Sequence, residues 1–338
     1  MKFQRIYKLL LIIGLIMVFL VGCSEQSDNK VTGESKEGES NKPFAAAFST
    51  GSAGGLYNII GGGMTKVINE KSGYINLNAT TPSSVSQVPQ MVNDGQAAFG
   101  IGMADMMKRA MEGEGEFETA FDNLQPVLAM YDNVMSTIVL KDSPINNVKE
   151  IKGKKVGVPS ASTQSAVIKI FEEAGIKEND VEWVFLSYNE QAEAIKDGNI
   201  DVGVFTAYPK SGLLEELAST KGIKFLQVDQ DVRNSFDEKY PLWSTNKIPG
   251  GTYPGIDEDN FFYTVYTVLY TNKDVPENVV YDVTKLILEN NPEISTIHPA
   301  GKDITPEKTK EYIDRKIIDP NLFHPGAKKY FEEKGIIQ

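Results

Sequence analysis

The sequence predicts an α/β fold with mixed, mostly parallel sheets, arranged as two lobes of similar plan around a hinged cleft. Strand-like apolar runs alternate with amphipathic helical patterns after residue 43, which is typical of a parallel-sheet architecture. Two stretches also repeat one order of helix, Asp-Gly and strand. The 338 residues suffice for two moderate lobes, each with its own core.

The first predicted unit of strand, turn and helix starts at residue 44. Phe44–Ser49 (FAAAFS) is a short apolar strand, segment 50–55 (TGSAGG) interrupts it, and Leu56–Glu70 has a helical pattern. The glycines of the interruption would let the backbone approach a bound molecule closely. Gly61–Gly63 lies inside the helical pattern, where it predicts close packing or a kink. Dinucleotide binding is not indicated, because no GxGxxG opens a helix after a strand.

A second unit of the same kind starts at Lys155. Lys155–Val158 predicts a strand, segment 159–162 (PSAS) predicts a turn, and a helix begins near Thr163. Apolar residues fall on one face of that helix, and Gly175 is suited to end it. The two units together predict one binding turn on each lobe.

A repeated junction indicates that the two lobes share one plan. Segments 88–102 (VPQMVNDGQAAFGIG) and 192–205 (AEAIKDGNIDVGVF) each contain an amphipathic helix that stops at Asp-Gly, followed by an apolar strand. One such junction is common in any α/β fold. Here each of the two follows its own unit of strand, turn and helix, which favours two similar lobes.

Two further apolar runs, 134–140 and 261–270, are suited to strands that cross between the lobes. In a protein of this plan the chain leaves lobe one, builds lobe two and returns to lobe one. We therefore predict lobe one as residues 43–136 with 262–338, and lobe two as residues 137–261.

The beginning of the sequence predicts export and attachment to a membrane. Basic residues precede an apolar run from Leu9 to Gly22, which is too short for a comfortable membrane span and suits a secretory signal peptide of residues 1–22. The run ends in LVGC, which resembles a bacterial lipobox, and Cys23 is the only cysteine in the chain. We predict lipid attachment at Cys23. An unlipidated signal peptide and an uncleaved anchor helix are the alternatives.

The segment 23–42 predicts a disordered tether behind this anchor. It is polar and contains too little apolar surface to offset the entropy of ordering. Two or more acyl chains at its start would hold the protein firmly at a membrane without spanning it. The predicted location is therefore extracytoplasmic, on the outer face of the cytoplasmic membrane or in a periplasm.

Composition excludes several classes of function. The formal net charge of −12 argues against a nucleic-acid partner, because phosphates require a basic footprint. With one cysteine the chain cannot form an internal disulfide. Its two histidines, His298 and His324, each precede a proline, so we predict no metal site and no cofactor.

The predicted ligand site lies at the two strand-to-helix turns. In open α/β sheets, ligands bind beyond the carboxyl ends of the strands, where unpaired N–H groups and the helix dipole favour an anion. Hydroxyls in these turns are suited to donate to a carboxylate or, alternatively, to cap the helices. A small anionic or zwitterionic solute is therefore expected. The candidate residues of the turns are Thr50, Gly51, Ser52, Gly54, Gly55, Ser160, Ser162 and Thr163.

Residues outside the turns are further candidates. Tyr57, Tyr131 and Tyr208 are suited to the walls of the cleft, and Thr206 precedes the last of these. Asp105 would accept a hydrogen bond from a ligand amine, or cap the helix that follows it. Nearby, Arg109 would clamp a carboxylate only if it folds inward, and a solvated helix face is the alternative.

Several separated motifs, in order, resemble the TAXI family of binding subunits from tripartite (TRAP) transporters. Segment 50–57 (TGSAGGLY) resembles the family's TGSxGGxY, segment 151–156 (IKGKKV) its LKGKxV, and segment 195–201 (IKDGNID) its LxDGxID. Near the end, segments 280–285 (VYDVTK) and 324–327 (HPGA) resemble VYxxTK and HPGA. The resemblance runs from about residue 44 to the C-terminus.

The resemblance implies a type II-like periplasmic-binding-protein fold and Na⁺-coupled uptake through separate permease subunits. It implies ligands such as glutamate, glutamine or 2-oxoglutarate, with contacts that include Leu56 and Ser84. Two positions depart from the family pattern. Segment 160–163 reads Ser-Ala-Ser-Thr where many members have Gly-Ser-Gly-Thr, and Met103 stands where many have Gln.

Two other functions compete with transport. A serine hydrolase would use Ser52, but a nucleophile elbow needs GxSxG, and Thr50 occupies the place of the first glycine. A ligand-binding sensor for a signalling partner would need the same closing cleft. We predict a solute-binding subunit of a TRAP transporter with no enzymatic activity, and keep the sensor as the alternative.

Overall fold

The computed structural model describes residues 42–51 and 55–337, which form ten strands and eleven α-helices. The predictions for the signal peptide 1–22, for Cys23 and for all but the last residue of the tether 23–42 lie outside these residues. So do those for Ser52 and Gly54. The strands are β1 (Phe44–Ser49), β2 (Ile75–Thr80), β3 (Phe99–Met103), β4 (Leu124–Leu140), β5 (Lys155–Val158), β6 (Glu182–Phe185), β7 (Val202–Ala207), β8 (Ile223–Phe225), β9 (Trp243–Ile248) and β10 (Asn260–Asn272).

The helices alternate with these strands in the first two thirds of the chain and then follow one another. They are α1 (Leu56–Lys71), α2 (Gln87–Asn93), α3 (Ala104–Glu112), α4 (Ala161–Glu173), α5 (Tyr188–Lys196), α6 (Gly212–Thr220), α7 (Gln230–Lys239), α8 (Glu277–Glu289), α9 (Asn291–Ile297), α10 (Pro306–Asp314) and α11 (Pro325–Glu333). Within the described ranges, no helix combines the length and the apolar character needed to cross a bilayer.

All ten strands belong to one mixed sheet with the order β2-β1-β3-β10-β4-β7-β5-β6, while β8 pairs with β4 and β9 with β10. Pairing is parallel within two groups, β2-β1-β3 and β7-β5-β6. The long strands β4 and β10 run antiparallel to their neighbours. The share of antiparallel pairing is larger than the sequence indicated, because these two strands lie between the parallel groups and pair antiparallel with every neighbour.

The predicted crossing strands lie inside the two long strands. Runs 134–140 and 261–270 fall within β4 and β10. These two strands pair with each other, with Leu124 opposite Asn272 at one end and Met135 opposite Tyr263 at the other. Nearly every residue of these strands is buried, which is why both read as continuous apolar runs. The lobe boundaries proposed from the sequence, 43–136 with 262–338 and 137–261, stay a prediction.

The repeated Asp-Gly junction is present in both groups of strands. Gly95, between α2 and β3, has a φ of 71°, and Gly198, between α5 and β7, has a φ of 72°. This left-handed backbone ends each helix and costs glycine little, whereas a side chain with a Cβ would be strained there. The junction therefore turns the chain from the helix layer into the sheet in the same way twice.

Candidate functional site

A cavity of about 500 Å³ lies at the carboxyl ends of the parallel strands. Five segments that follow parallel strands reach it, beginning at Gly51 after β1, Ser83 after β2, Pro159 after β5, Ser187 after β6 and Tyr208 after β7. Both parallel groups of the sheet therefore contribute to one site. This is the position at which open α/β sheets bind ligands.

Four of these segments lead into a helix whose N-terminus borders the cavity: α1, α4, α5 and α6. Gly55 precedes α1 and Ser211 precedes α6, and neither places a side-chain cap on the first turn. Their first-turn N–H groups therefore lack a side-chain acceptor, and the helix dipole adds a partial positive charge there. These two ends are suited to hold an anion.

The hydroxyls at the start of α4 form a buried cluster. Ser160 Oγ lies 2.9 Å from Ser162 Oγ and 3.2 Å from Thr163 Oγ1, and it accepts a hydrogen bond from the Thr163 backbone N–H at 3.3 Å. Ser160 therefore caps α4, which is the alternative role that the sequence predicted for the hydroxyls of these turns. All three residues also line the cavity, so capping and a ligand contact are compatible at this turn.

Tyrosine rings form part of the wall and its support. Tyr57 and Tyr208 line the cavity, and the ring of Tyr131 lies 6.4 Å from each of them, centroid to centroid. Tyr131 itself is fully buried and does not line the cavity, but it packs against the two tyrosine rings that do. The imidazole of His298 packs edge-on against Tyr208 with centroids 5.9 Å apart, and His298 also lines the cavity.

The titratable side chains of the cavity are neutral near pH 7. Burial raises the pKa of Tyr57, and it raises the pKa of Tyr188 and of Tyr208 to about 12 in each case. Burial lowers the pKa of His298 below its ordinary value of 6.5. Among the lining residues that the structure describes there is no Asp, Glu, Lys or Arg. The polarity of this site therefore comes from backbone dipoles, hydroxyls and amides.

Asn133 lies in the middle of β4 and contributes a polar group to the cavity. The residue is only 2% exposed, yet it borders the cavity. Its Nδ2 donates to Thr267 Oγ1 at 3.5 Å, and Tyr57 Oη lies 3.5 Å from the same hydroxyl. Its Oδ1 is buried without a hydrogen-bond partner in the described chain. A buried acceptor of this kind is costly unless a ligand or a water donates to it.

Most of the described candidate residues from the sequence come together here. Gly51, Gly55, Leu56, Tyr57, Ser160, Ser162, Thr163, Thr206 and Tyr208 all line the cavity. Thr50 does not, because its hydroxyl donates to Thr80 O at 3.0 Å and accepts from Asn58 Nδ2 at 3.0 Å, which ties down the turn. Ser84 does not line it either, although its neighbours Ser83 and Val85 do.

The structure places Asp105, a predicted ligand contact, in a cluster of ion pairs. Its carboxylate lies outside the cavity lining, where Lys169 Nζ contacts it at 3.1 Å and Arg109 Nε donates to it at 3.1 Å. Arg109 also pairs with Glu116 and is 8% exposed, so it does not lie on a solvated helix face, and it does not line the cavity. These side chains neutralise one another beside the site.

Several lining residues were missed from the sequence. They are Ile59, Ser83, Val85, Met103, Asn133, Pro159, Ser187, Tyr188, Asn189, Phe205, Ala207, Ser211, Gly212, Leu213 and His298. The turns before α5 and α6 have the same sequence pattern as the two predicted binding turns, namely a strand, then a turn that contains Ser, then a helix. Asn133 and His298 give no such local signal, because only the tertiary fold brings them to the cavity.

Three solved structures illustrate what this fold is similar to. A protein from Bordetella bronchiseptica RB50 is 15% identical, with a TM-score of 0.51 over 87% of this chain and 89% of that one. The periplasmic aliphatic sulphonate binding protein of Escherichia coli is 13% identical, with a TM-score of 0.43 over 88% and 89%. A substrate binding protein of an amino acid ABC transporter is 14% identical, with a TM-score of 0.46 over 75% and 96%.

At 15% identity, the likeness to the Bordetella protein concerns the fold alone. The strand order of the mixed sheet and the helices that alternate with its strands confirm the predicted α/β fold. The model of the NMT1-like family matches residues 48–335, which is most of the chain. The chain belongs to the NMT1-like family.

Proposed function

We propose that the chain is an extracytoplasmic solute-binding protein, which captures a small anionic or zwitterionic solute for a transporter and catalyses no reaction. One observation carries the proposal: a cavity of about 500 Å³ is bordered by helix N-termini from both parallel groups of the sheet. Its size is typical of small-molecule sites, which span roughly 300–1,000 Å³. A solute that touches both groups would favour their approach, and this couples binding to closure.

The finer proposal is a TAXI-type subunit of a TRAP transporter, with glutamate or a 2-oxo or dicarboxylic acid as the kind of solute. It is supported by the five TAXI-like motifs in their order. The most specific of these, segment 50–57, contributes Gly51, Gly55, Leu56 and Tyr57 to the cavity lining. We further propose that a lipid on Cys23 holds the protein at the membrane beside its permease.

The binding role is tested with the solute that the protein carries from its host. The purified chain is denatured, the released small molecules are identified by mass spectrometry, and each is returned to refolded protein. At 100 times its dissociation constant a solute should add about 2.7 kcal/mol to the free energy of unfolding, which raises the melting temperature by several degrees. Small-angle scattering should show a smaller radius of gyration. If no solute is released and no candidate compacts the protein, the proposal is contradicted.

The type of transporter is tested by uptake into vesicles that contain the partner permease. A TRAP permease should take up the solute on a Na⁺ gradient without ATP, and only when the binding protein is added. Uptake that requires ATP and ignores the Na⁺ gradient would remove the TRAP assignment and leave the solute-binding role in place.

A further inference from the structure

The cavity lacks the group that an amino acid would require. A protonated amine that leaves water for a confined site needs a carboxylate or another charged partner to offset its lost hydration. The described lining residues contain no Asp or Glu. The nearby carboxylate of Asp105 is already paired with Lys169 and Arg109. The carboxyl of Asp303 is hydrogen-bonded to the side chain of Tyr208 and does not line the cavity either. An ammonium group would therefore have no ionised partner among the described lining residues.

The helix N-termini make the same site still less suitable for a cation. Each carries roughly half an elementary positive charge, and four of them border the cavity. The two without a side-chain cap, at Gly55 and Ser211, are open to a negatively charged group. The electrostatic preference of the cavity is therefore for an anion, even though no Lys or Arg among its described lining residues supplies a counter-charge.

Asn133 supplies a second and independent indication of the solute. Asn133 borders the cavity, is only 2% exposed, and leaves its Oδ1 without a hydrogen-bond partner in the described chain. Since Nδ2 donates to Thr267 Oγ1, the open function of this amide is that of an acceptor. A solute that satisfies this oxygen must present a hydrogen-bond donor. Because the helix N-termini are positive, a neutral donor is favoured over a positively charged one.

From these features we infer that the solute combines an oxyanion with a neutral hydrogen-bond donor, a hydroxyl or an amide N–H, and carries no ammonium group. The oxyanion lies at the open N-termini of α1 and α6, and the donor binds Asn133 Oδ1. Asn133 is thus a specificity-determining residue. The inference rests on the proposed solute-binding function and narrows its solute from an anionic or zwitterionic one to an anionic one. Of the solutes named in the finer proposal, it excludes glutamate and any 2-oxo or dicarboxylic acid that has no hydroxyl or amide N–H.

The test compares acids that differ only at the carbon next to the carboxylate. Glutarate, 2-hydroxyglutarate and glutamate form one set, propionate, lactate and alanine a second, and 3-phenylpropionate, 3-phenyllactate and phenylalanine a third. Binding to the purified chain is measured by calorimetry. In a set that fits the cavity, the hydroxy acid should bind about three- to tenfold more tightly than the unsubstituted acid. The amino acid should bind at least about tenfold more weakly than the hydroxy acid.

The Asn133→Ala variant assigns the donor contact. It should reduce the advantage of the hydroxy acid to less than about twofold while the unsubstituted acid keeps its affinity. Asn133→Asp places a carboxylate at the same point and should reverse the order in favour of the amino acid. Asn78→Ala, on the exposed face of β2, is the matched control and should leave all affinities unchanged.

Three results would overturn the inference. They are tightest binding by an amino acid, an undiminished hydroxyl advantage in Asn133→Ala, and no binding by any of the nine acids. None of these would by itself remove the solute-binding role, because that role is judged separately by the solute released from the purified protein.

Discussion

The Lys169→Met substitution tests whether the ion pair beside the cavity holds two parts of the molecule together. Asp105 lies on α3 and Lys169 on α4, so the pair joins a helix of predicted lobe one to a helix of predicted lobe two. Their side chains are only 14% and 19% exposed. Methionine keeps most of the aliphatic stem of lysine and removes the charge.

The magnitude follows from the distance and the burial. At 3.1 Å and an effective dielectric constant of about 20, the Coulomb attraction is about 5 kcal/mol, much of which desolvation offsets. Because Arg109 continues to neutralise Asp105, we expect a net loss of about 1–2 kcal/mol rather than the 3–5 kcal/mol typical of an abandoned buried charge. If opening of the cleft separates α3 from α4, the ion pair stabilises only the closed state. Each 1.4 kcal/mol of pair energy that is lost would then weaken solute binding by up to about tenfold.

The assay is urea unfolding of the wild type, Lys169→Met, Asp105→Asn and the double variant. The double-mutant cycle removes other effects of Lys169, such as its position 5.6 Å from the ring centroid of Tyr240. Lys310→Met, which breaks an exposed pair with Asp314, should leave the unfolding midpoint within error. A coupling energy below about 0.3 kcal/mol between Asp105 and Lys169 would refute the reasoning.

Two further substitutions probe the rim of the cavity and a buried histidine. Gly55→Leu should reduce solute affinity at least tenfold without unfolding the protein, because Gly55 has an unstrained φ of −77° and borders the cavity. Gly62→Ala, where an added Cβ meets open space, is its control in a calorimetric titration, and equal affinities in both would remove Gly55 from the site. Burial lowers the pKa of His324 below 6.5, so its contribution to stability is complete above pH 6.5 and is lost as the pH falls through the lowered pKa. His324→Asn keeps an acceptor for the Gly326 N–H and should flatten the dependence of the melting temperature on pH between 6.5 and 5; identical slopes would contradict this.

Elements defined by local chemistry were predicted closely. The bounds of β1 and β5 agree with the apolar runs 44–49 and 155–158, because turn residues end each run abruptly. The helix predicted to begin near Thr163 begins at Ala161, since Ser160 already caps it. The Asp-Gly junctions were recognisable for the same reason, because a left-handed backbone position favours glycine at that position of the sequence.

The rest of the site depends on contacts between distant residues. Asp105 and Lys169 are 64 positions apart, and neither sequence neighbourhood indicates that one neutralises the other. Asn133 stands within a long apolar strand, where an isolated amide gives no local sign that it reaches a cavity. His298 reaches the cavity because segment 291–303 folds back against α1. Only the tertiary fold determines which polar groups are paired and which remain open to a solute.

The position of β10 has a consequence for the order in which the molecule is built. This strand lies between β3 and β4, yet its residues 260–272 are made after all the other strands of the sheet. A chain that leaves a ribosome or a translocation pore from its N-terminus can pair β5, β6 and β7 early, because they lie close together in sequence. The strands β1, β2 and β3 must wait for β10 to connect them to β4, a pairing over long sequence distance that is slow to form. The part of the sheet that is synthesised first is therefore completed last.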